Sequence, residues 1–399
     1  MNRMEKPILP YQGISVLIFG AGGRQALPVC KGFYELGCRV VNYCKSSMDT
    51  GALTKYKTEL IRYEKENTEG LDFYDYGMKL IRENQYSLIV PLSDNCARYL
   101  SIHKEELPPC SKVAVNDWDI LQYAIDKALT MKVCMEEGVP APKTIFGEDL
   151  LAQAEEAAYD FPVVVKPRTG VGSIGFSIIE GRERLLAYLK EYDGQNGPLL
   201  VQEYIRQGKQ PQYRADLFRT KDGEFKAICV GKVTRWYPLD GGSGICVQSV
   251  HDEKIAAGCK KLLDAIGWVG YANIDMATDE NTGEVKILEI NGRTGASIKI
   301  DYVCGVNISQ LILENEMSLP VTDMTEYEDG RMISCFLPDL LWLIKSKDRF
   351  RAKPSWFNRK GVKDVIFSWD DPLPSVGFAI SSALSFKESM RKRKRISDE

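Results

Sequence analysis

Residues 270–297 read GYANIDMATDENTGEVKILEINGRTGAS, two apolar runs that carry acids and amides and are joined by TDENTG. In a strand alternate residues share a face, so Asn273 and Asp275 point one way, and Glu289 and Asn291 share a face of the next strand. A turn centred near 281–282 sets Asp275 close to opposite Glu289. Facing carboxylates repel unless a cation lies between them. An Asp/Glu/Asn oxygen set suits Mg2+, which keeps waters and takes its other ligands from nucleotide phosphates. Arg293, just past the second strand, adds a positive group for a phosphoryl or carboxylate partner. The competing reading is a surface hairpin with solvated acids; the apolar flanks NID and LEI weigh against it.

A second stretch, VVVKPRTGVGSIGFSII at 163–179, ends an apolar run in one lysine and continues into a glycine loop. Gly170, Gly172 and Gly175 match G-x-G-x-x-G, but strand-like residues follow, so the loop joins two strands and opens no helix. Such a hairpin, with Ser173 in it, can fold over phosphates and present bare backbone N–H groups. Lys166 is costly to bury unpaired, and a phosphate oxygen would pair it. The alternative is a plain hairpin with Lys166 reaching out to water.

A third glycine loop, GAGGRQ at 20–25, follows the first strand. The dinucleotide fingerprint wants glycine at the sixth place and an acid ending the second strand. Gln25 and the ending Asn42-Tyr43-Cys44-Lys45 meet neither requirement, which speaks against NAD. A tight turn, or a backbone anion site at a helix N-terminus, remains.

The chain of 399 residues carries 44% hydrophobic and 27% charged residues, an ordinary globular profile with room for two or three domains. A net charge of −3 gives no electrostatic case for nucleic acid. No apolar run reaches a membrane span and the first residues lack a signal core, so a cytoplasmic protein is expected. Eleven scattered cysteines with no C-x-x-C read as reduced thiols. Two histidines leave little for a zinc site or a Ser-His-Asp triad.

The pattern along residues 14–44 is strand, turn, helix, strand; helix, strand and helix follow at 71–84, 86–92 and 96–107, predicting a doubly wound α/β unit. Residues 117–138 predict one helix stopped by Gly138. Strands FPVVVK, IGFSII, LLVQEYI, QYRADLF and FKAICVGKV, with a helix near 182–192, predict an α+β unit; a helix over 251–267 precedes the acid hairpin. The expected division is 1–112, then 113–315 with a small lobe at about 140–205, then an extension over 316–399.

The motifs GAGG, VPLSDN, DK, VVVKPRTGVGSIG, LLVQEYI, NID and LEINGR stand in one order over residues 14–312. In that order and spacing the chain resembles the ATP-grasp superfamily, in its carbamoyl-phosphate-synthetase-like, carboxylate–amine ligase branch. The resemblance implies an ATP-grasp fold: a Rossmann-like domain first, then a small and a larger α+β lobe, with a C-terminal extension. It implies that Lys127 reaches the α-phosphate, that Lys166 contacts the α- and β-phosphates, and that 170–175 is the flap over them. Gln202, Glu203, Tyr204 and Ile205 match the hinge that pairs with adenine. Gln212 stands where an acid commonly meets the ribose. Asp275, Glu289 and Asn291 would hold Mg2+, with Mn2+ as a substitute, and Arg293 would stabilise the transferred phosphoryl group and the acyl phosphate. Asp275 stands where Glu is commoner. More loosely, Lys232, Arg235 and the glycines at 241–244 sit where such enzymes contact phosphate or acceptor.

The implied reaction makes an acyl phosphate from a carboxylate with ATP and passes the acyl group to an amine, as in amino-acid or cell-envelope metabolism. The N-terminal domain would supply Gly22, Gly23, Arg24, Ser93 and Asp94 to the small-molecule substrates, with Arg24 either a carboxylate clamp or plain surface charge. A non-amine acceptor, or an ATP-binding protein without catalysis, are the other readings. Beyond 316, FLPDLLWLIK and DVIFSWDDPLPSVGFAISSALSF precede RKRKR at 391–395. Packing against the body is the expectation there, peripheral contact with anionic membrane the alternative; DPLP resembles the endings of cell-envelope carboxylate–amine ligases. The oligomeric state stays open, a homodimer among the options.

Overall fold

The computed structural model describes residues 11–170, 175–206, 210–239 and 243–381. Five parallel strands open the chain: β1 (Ser15–Phe19), β2 (Arg39–Cys44), β3 (Glu59–Arg62), β4 (Leu88–Pro91) and β5 (Lys112–Val113), in the order β3-β2-β1-β4-β5. Their inner residues are apolar on both faces because helices cover both. Helices α1 (Ala26–Glu35), α2 (Thr50–Leu53), α3 (Phe73–Asn84) and α4 (Asp94–Ile102) do so. The turn after β1 needs its glycines: Gly20 has φ +80°, and a Cβ there would meet Cys96 Sγ at 2.7 Å.

The expected single helix over 117–138 is two, α5 (Trp118–Ile125) and α6 (Lys127–Glu137). Asp126 sits between them in an extended conformation and accepts a bond from Ala128 N. Its carboxylate also takes Arg168 Nη2 at 2.6 Å, while Lys127 N donates to Arg168 O at 2.9 Å. Helical periodicity continues across the break, so the pattern cannot reveal it; the partner lies 42 residues away.

A four-stranded antiparallel sheet follows, β6 (Thr144–Phe146), β7 (Val163–Pro167), β8 (Ser177–Ile179) and β9 (Leu199–Glu203), in the order β6-β9-β7-β8. Helices α7 (Leu150–Glu156) and α8 (Arg182–Glu191) bury Ala154 and Leu185 against Val163, Val165 and Val201. The large sheet has the order β14-β13-β10-β11-β12-β15-β16. Its strands are β10 (Gln212–Arg219), β11 (Phe225–Tyr237), β12 (Ser243–Val250), β13 (Gly270–Thr278), β14 (Val285–Asn291), β15 (Met332–Ser334) and β16 (Lys363–Asp364). Helix α9 (Glu253–Ile266) packs Ile255, Leu262 and Leu263 on one face, against Ala215, Leu217 and Ile274.

Short α10 (Lys299–Val303) and then α11 (Ile308–Glu316) lead back to the first domain, where Ser309 Oγ donates to Val29 O at 3.0 Å. Beyond 316 the chain is not a loose appendage: β15 pairs with β12 and β16 with β15, and α12 (Phe336–Lys345) lies beside β11. The expected packing holds for Trp342, Val365 and Ile366, yet Phe350 and Trp369 stand 75% and 90% exposed. RKRKR lies outside the described residues. All eleven cysteines are free thiols, ten buried and Cys110 exposed.

Candidate active site

The acid hairpin folds in the expected register. Asp275 is the partner of Glu289 and Asn273 the partner of Asn291, with a bulge between Asp275 and Met276. Asn291 Nδ2 donates to Asn273 Oδ1 at 3.0 Å and Asp275 Oδ2 at 3.1 Å. Burial pushes the Glu289 carboxyl above its ordinary range and the charge of Asp275 pushes it further; Lys127, Lys166 and Arg293 oppose the rise. Two acids thus share one face at adjacent register positions, a placement that a divalent cation between them would favour. The donors are all oxygen, which fits Mg2+. Among the described residues no cluster of three His, Cys, Asp or Glu stands ready for a metal, so phosphate or water oxygens must complete its shell.

Two lysines face the acids. Lys127 opens α6, and its Nζ lies 4.0 Å from Glu289 Oε2 and 2.9 Å from Gly170 O. The helix break at Asp126 therefore aims Lys127 at the loop and the carboxylates together. Burial lowers Lys166 to about 8; Glu289 raises it and Lys127 lowers it. Gly170 (φ +125°) and Gly175 (φ +71°) flank the loop, and a Cβ on Gly175 would strike Pro167 Cγ at 2.9 Å. Gly172 and Ser173 lie outside the described residues.

At the hinge, Glu203 is spoken for. Lys286 Nζ reaches both its carboxylate oxygens at 3.0 Å, and Lys143 N donates to it at 3.1 Å. Gln202 is buried and donates to Thr144 Oγ1 at 2.9 Å. Only the segment Tyr204–Ile205, past the end of β9, offers backbone outside the sheet. Gln212 pairs in register with Ala277 and so shares the Asp275 face.

Arginines line the other side. Arg293 Nε lies 3.2 Å from Asp94 Oδ1, which ties the first domain to the hairpin. Ser93 caps α4, accepting from Cys96 N at 3.2 Å, and serves that helix. Arg214, missed in the sequence, is the β10 neighbour of Asp275; its Nε stands 3.2 Å from Asp275 Oδ1 and its Nη1 donates to Ser297 Oγ at 3.0 Å. Alternation in QYRADLF puts Arg214 on the face of Gln212, which is the signal that could have found it. A Cβ on Gly244 would come within 3.1 Å of Arg214 Nη2, so the glycine leaves this guanidinium room. Burial lowers Arg24 from its ordinary value, the nearby Arg214 lowers it too, and Cys335 and Asp364 oppose. Arg24 is thus drawn into the same region as Arg214 and is no plain surface charge. Gly22 is exposed near Asp49 and Gly23 close to Gln25, in the turn beside it.

Two expected residues are elsewhere. Lys232 is in register with Tyr213, on the α9 face, and lines a groove with Asp252 and Met276. Strand alternation turns it away from Asp275. Arg235 is 2% exposed, and its Nε and Nη2 meet the Asp339 carboxylate at 2.6 and 3.1 Å. It anchors α12 to the large sheet and does not reach an acceptor. Of the glycines at 241–244, 241 and 242 lie outside the described residues.

Two antiparallel sheets closing on a lysine-and-carboxylate cleft, behind a parallel-sheet domain, define a nucleotide-grasping architecture. The family model described as ATP-grasp domain matches residues 124–297, so that part of the chain is similar to ATP-grasp domains. It is 27% identical over 247 residues to the D-aspartate ligase of Enterococcus faecium (strain Aus0004), covering 58% of each chain. It is 24% identical over 281 residues to the N-terminal section of the carbamoyl phosphate synthase large chain of Methanopyrus kandleri, covering 67% of this chain and 46% of that one. The chain thus spans roughly half the length of these relatives. In fold it is similar to the biotin carboxylase domain of Hydrogenobacter thermophilus 2-oxoglutarate carboxylase, with a TM-score of 0.63 at 17% identity, over 80% of this chain and 73% of that one.

Proposed function

We propose that the protein is an ATP- and Mg2+-dependent ligase that activates a carboxylate as its acyl phosphate and joins it to an amine, releasing ADP and phosphate. The observation that carries this is the Asp275–Glu289 pair, in register on one face of the hairpin and facing Lys127 and Lys166 across one cleft. A carboxylate oxygen is a poor leaving group, and phosphorylation makes it a good one. Asp275, Glu289 and the amide oxygen of Asn291 would hold Mg2+, which supplies charge neutralisation on the triphosphate.

The chain's own residues do the rest. Lys127 and Lys166 hold phosphate oxygens, Lys127 exchanging its present contacts with Gly170 O and Glu289 for stronger charge-assisted bonds. Arg293, steadied by Asp94, meets the charge that develops on the transferred phosphoryl group. Arg24 and Arg214 offer positive groups to the carboxylate substrate. The backbone at Tyr204 and Ile205 pairs with the adenine. Residues 1–112, 113–315 and 316–399 would act as carboxylate-side domain, ATP-grasp domain and closing extension.

The match to a D-aspartate ligase supports substrates of the amino-acid class, with the identity of acid and amine open. A screen of amino acids, other acids and amines for Mg2+-dependent ADP release, with Asp275→Asn as control, tests the reading. Amide formation with one acid–amine pair is expected. Turnover with a thiol or other acceptor alone would move the reaction to a non-amine transfer. Tight ATP binding with no turnover on any acceptor would leave a non-catalytic binder.

A further inference from the structure

The surface around α12 and β16 is apolar and cationic at once, and we infer that it docks the protein on an anionic lipid surface. Residues 345–363, KSKDRFRAKPSWFNRKGVK, hold eight Lys and Arg against the single acid Asp348. Lys345, Lys347, Arg351, Lys353, Lys360 and Lys363 are exposed. Of the neighbouring acids, Asp370 is exposed but paired with Lys31 Nζ at 3.1 Å, and the others are turned inward. Asp339 is buried on Arg235, Asp364 accepts from the Phe336, Ile366 and Phe367 backbones, and Asp371 is buried and accepts from Lys55 N. What faces outward is therefore positive.

Large apolar side chains stand in the same surface. Trp369 is 90% exposed, Phe350 75%, Ile344 62%, Leu373 60% and Phe357 58%. Phe350, Phe357 and Trp369 belong to one connected ridge. Phe350 stacks on Phe357 at 5.9 Å, Phe357 meets Trp356 at 5.7 Å, and Arg359 lies over both Trp356 and Phe336. Phe336, Phe367 and Trp369 then line one groove of about 600 Å³ with Lys363. Exposed apolar area of this extent on a soluble body marks an interaction surface.

Charge complementarity selects the occupant. A second copy meeting this face in an isologous pair would set 345–363 near its own cations, and like charges brought together weaken the association. An anionic bilayer takes both features, the cations at the headgroups and the aromatic rings at the interface. Among the described residues no helix is long and apolar enough to cross a membrane, so the contact is peripheral. This inference is independent of the ligase reading.

The test is co-sedimentation of the full chain with vesicles of 30% phosphatidylglycerol in phosphatidylcholine, and with phosphatidylcholine alone. Binding to the anionic vesicles, lost at 0.5 M salt, is expected. Lys347→Glu, Arg351→Glu and Lys360→Glu together should lower partitioning by about 100-fold or more, with circular dichroism unchanged. In the chain with Trp369→Phe, the blue shift of tryptophan emission on vesicle binding should shrink. Equal or no binding to the two vesicle types would overturn the proposal. So would a dimer in light scattering that Trp369→Ser dissolves, since a second copy would then cover the face.

Discussion

ATP affinity should fall steeply with pH because of one buried lysine. Burial holds Lys166 at about 8, against a usual value of 10.5. The charged form is the one that grips phosphate. With that value about three quarters of the protein carries the charge at pH 7.5 and about 3% at pH 9.5, a roughly 25-fold loss of the binding-competent form. A lysine at its usual value would lose only about a tenth of its charge over that window. Titration calorimetry of ATP at constant ionic strength, from pH 7.5 to 9.5, reads the difference. Binding should weaken and take up a proton at the alkaline end. Lys166→Arg should flatten the curve, because guanidinium stays charged throughout. A flat profile in the unaltered protein, or an equally steep one with Lys166→Arg, would refute the claim that this buried cation meets the triphosphate.

Glu289→Gln should abolish Mg2+-dependent ADP release by at least about 100-fold and yet raise the melting temperature of the metal-free protein at pH 7. The sign follows from its raised pKa: such an acid stabilises the fold below its unfolded value and costs stability once pH climbs past its folded value. An unchanged or lower melting temperature contradicts it. Asp339→Ala should cost about 3–5 kcal/mol in urea unfolding, because it strands buried Arg235 and removes the partner of Arg359; a change below 1 kcal/mol (on the order of a surface pair) argues against the buried clamp. Asp126→Ala should cost about 1 kcal/mol or more for the lost cap and raise the KM for ATP, since it frees the turn that aims Lys127; KM values equal to the unaltered protein's would show that Lys127 is placed by other means.

Local pattern was enough for the features whose partners are near in sequence. The βαβ opening, the lysine before its glycine loop and the Asp275–Glu289 register were all readable there, because strand alternation and a short turn fix which side chains meet. The Gln25 and Lys45 departures from a dinucleotide site were readable for the same reason. Only tertiary structure decided the rest. Asp126 interrupts the helical period because Arg168, just past the end of β7, holds it. Arg293 is steered by Asp94 of the first domain, and Arg214 gains meaning only beside Asp275. Arg235 turned from substrate contact to anchor because Asp339, 104 residues on, is buried against it. Near neighbours are chosen by backbone geometry, which a few residues carry; distant ones are chosen by how whole sheets pack, which no short window contains.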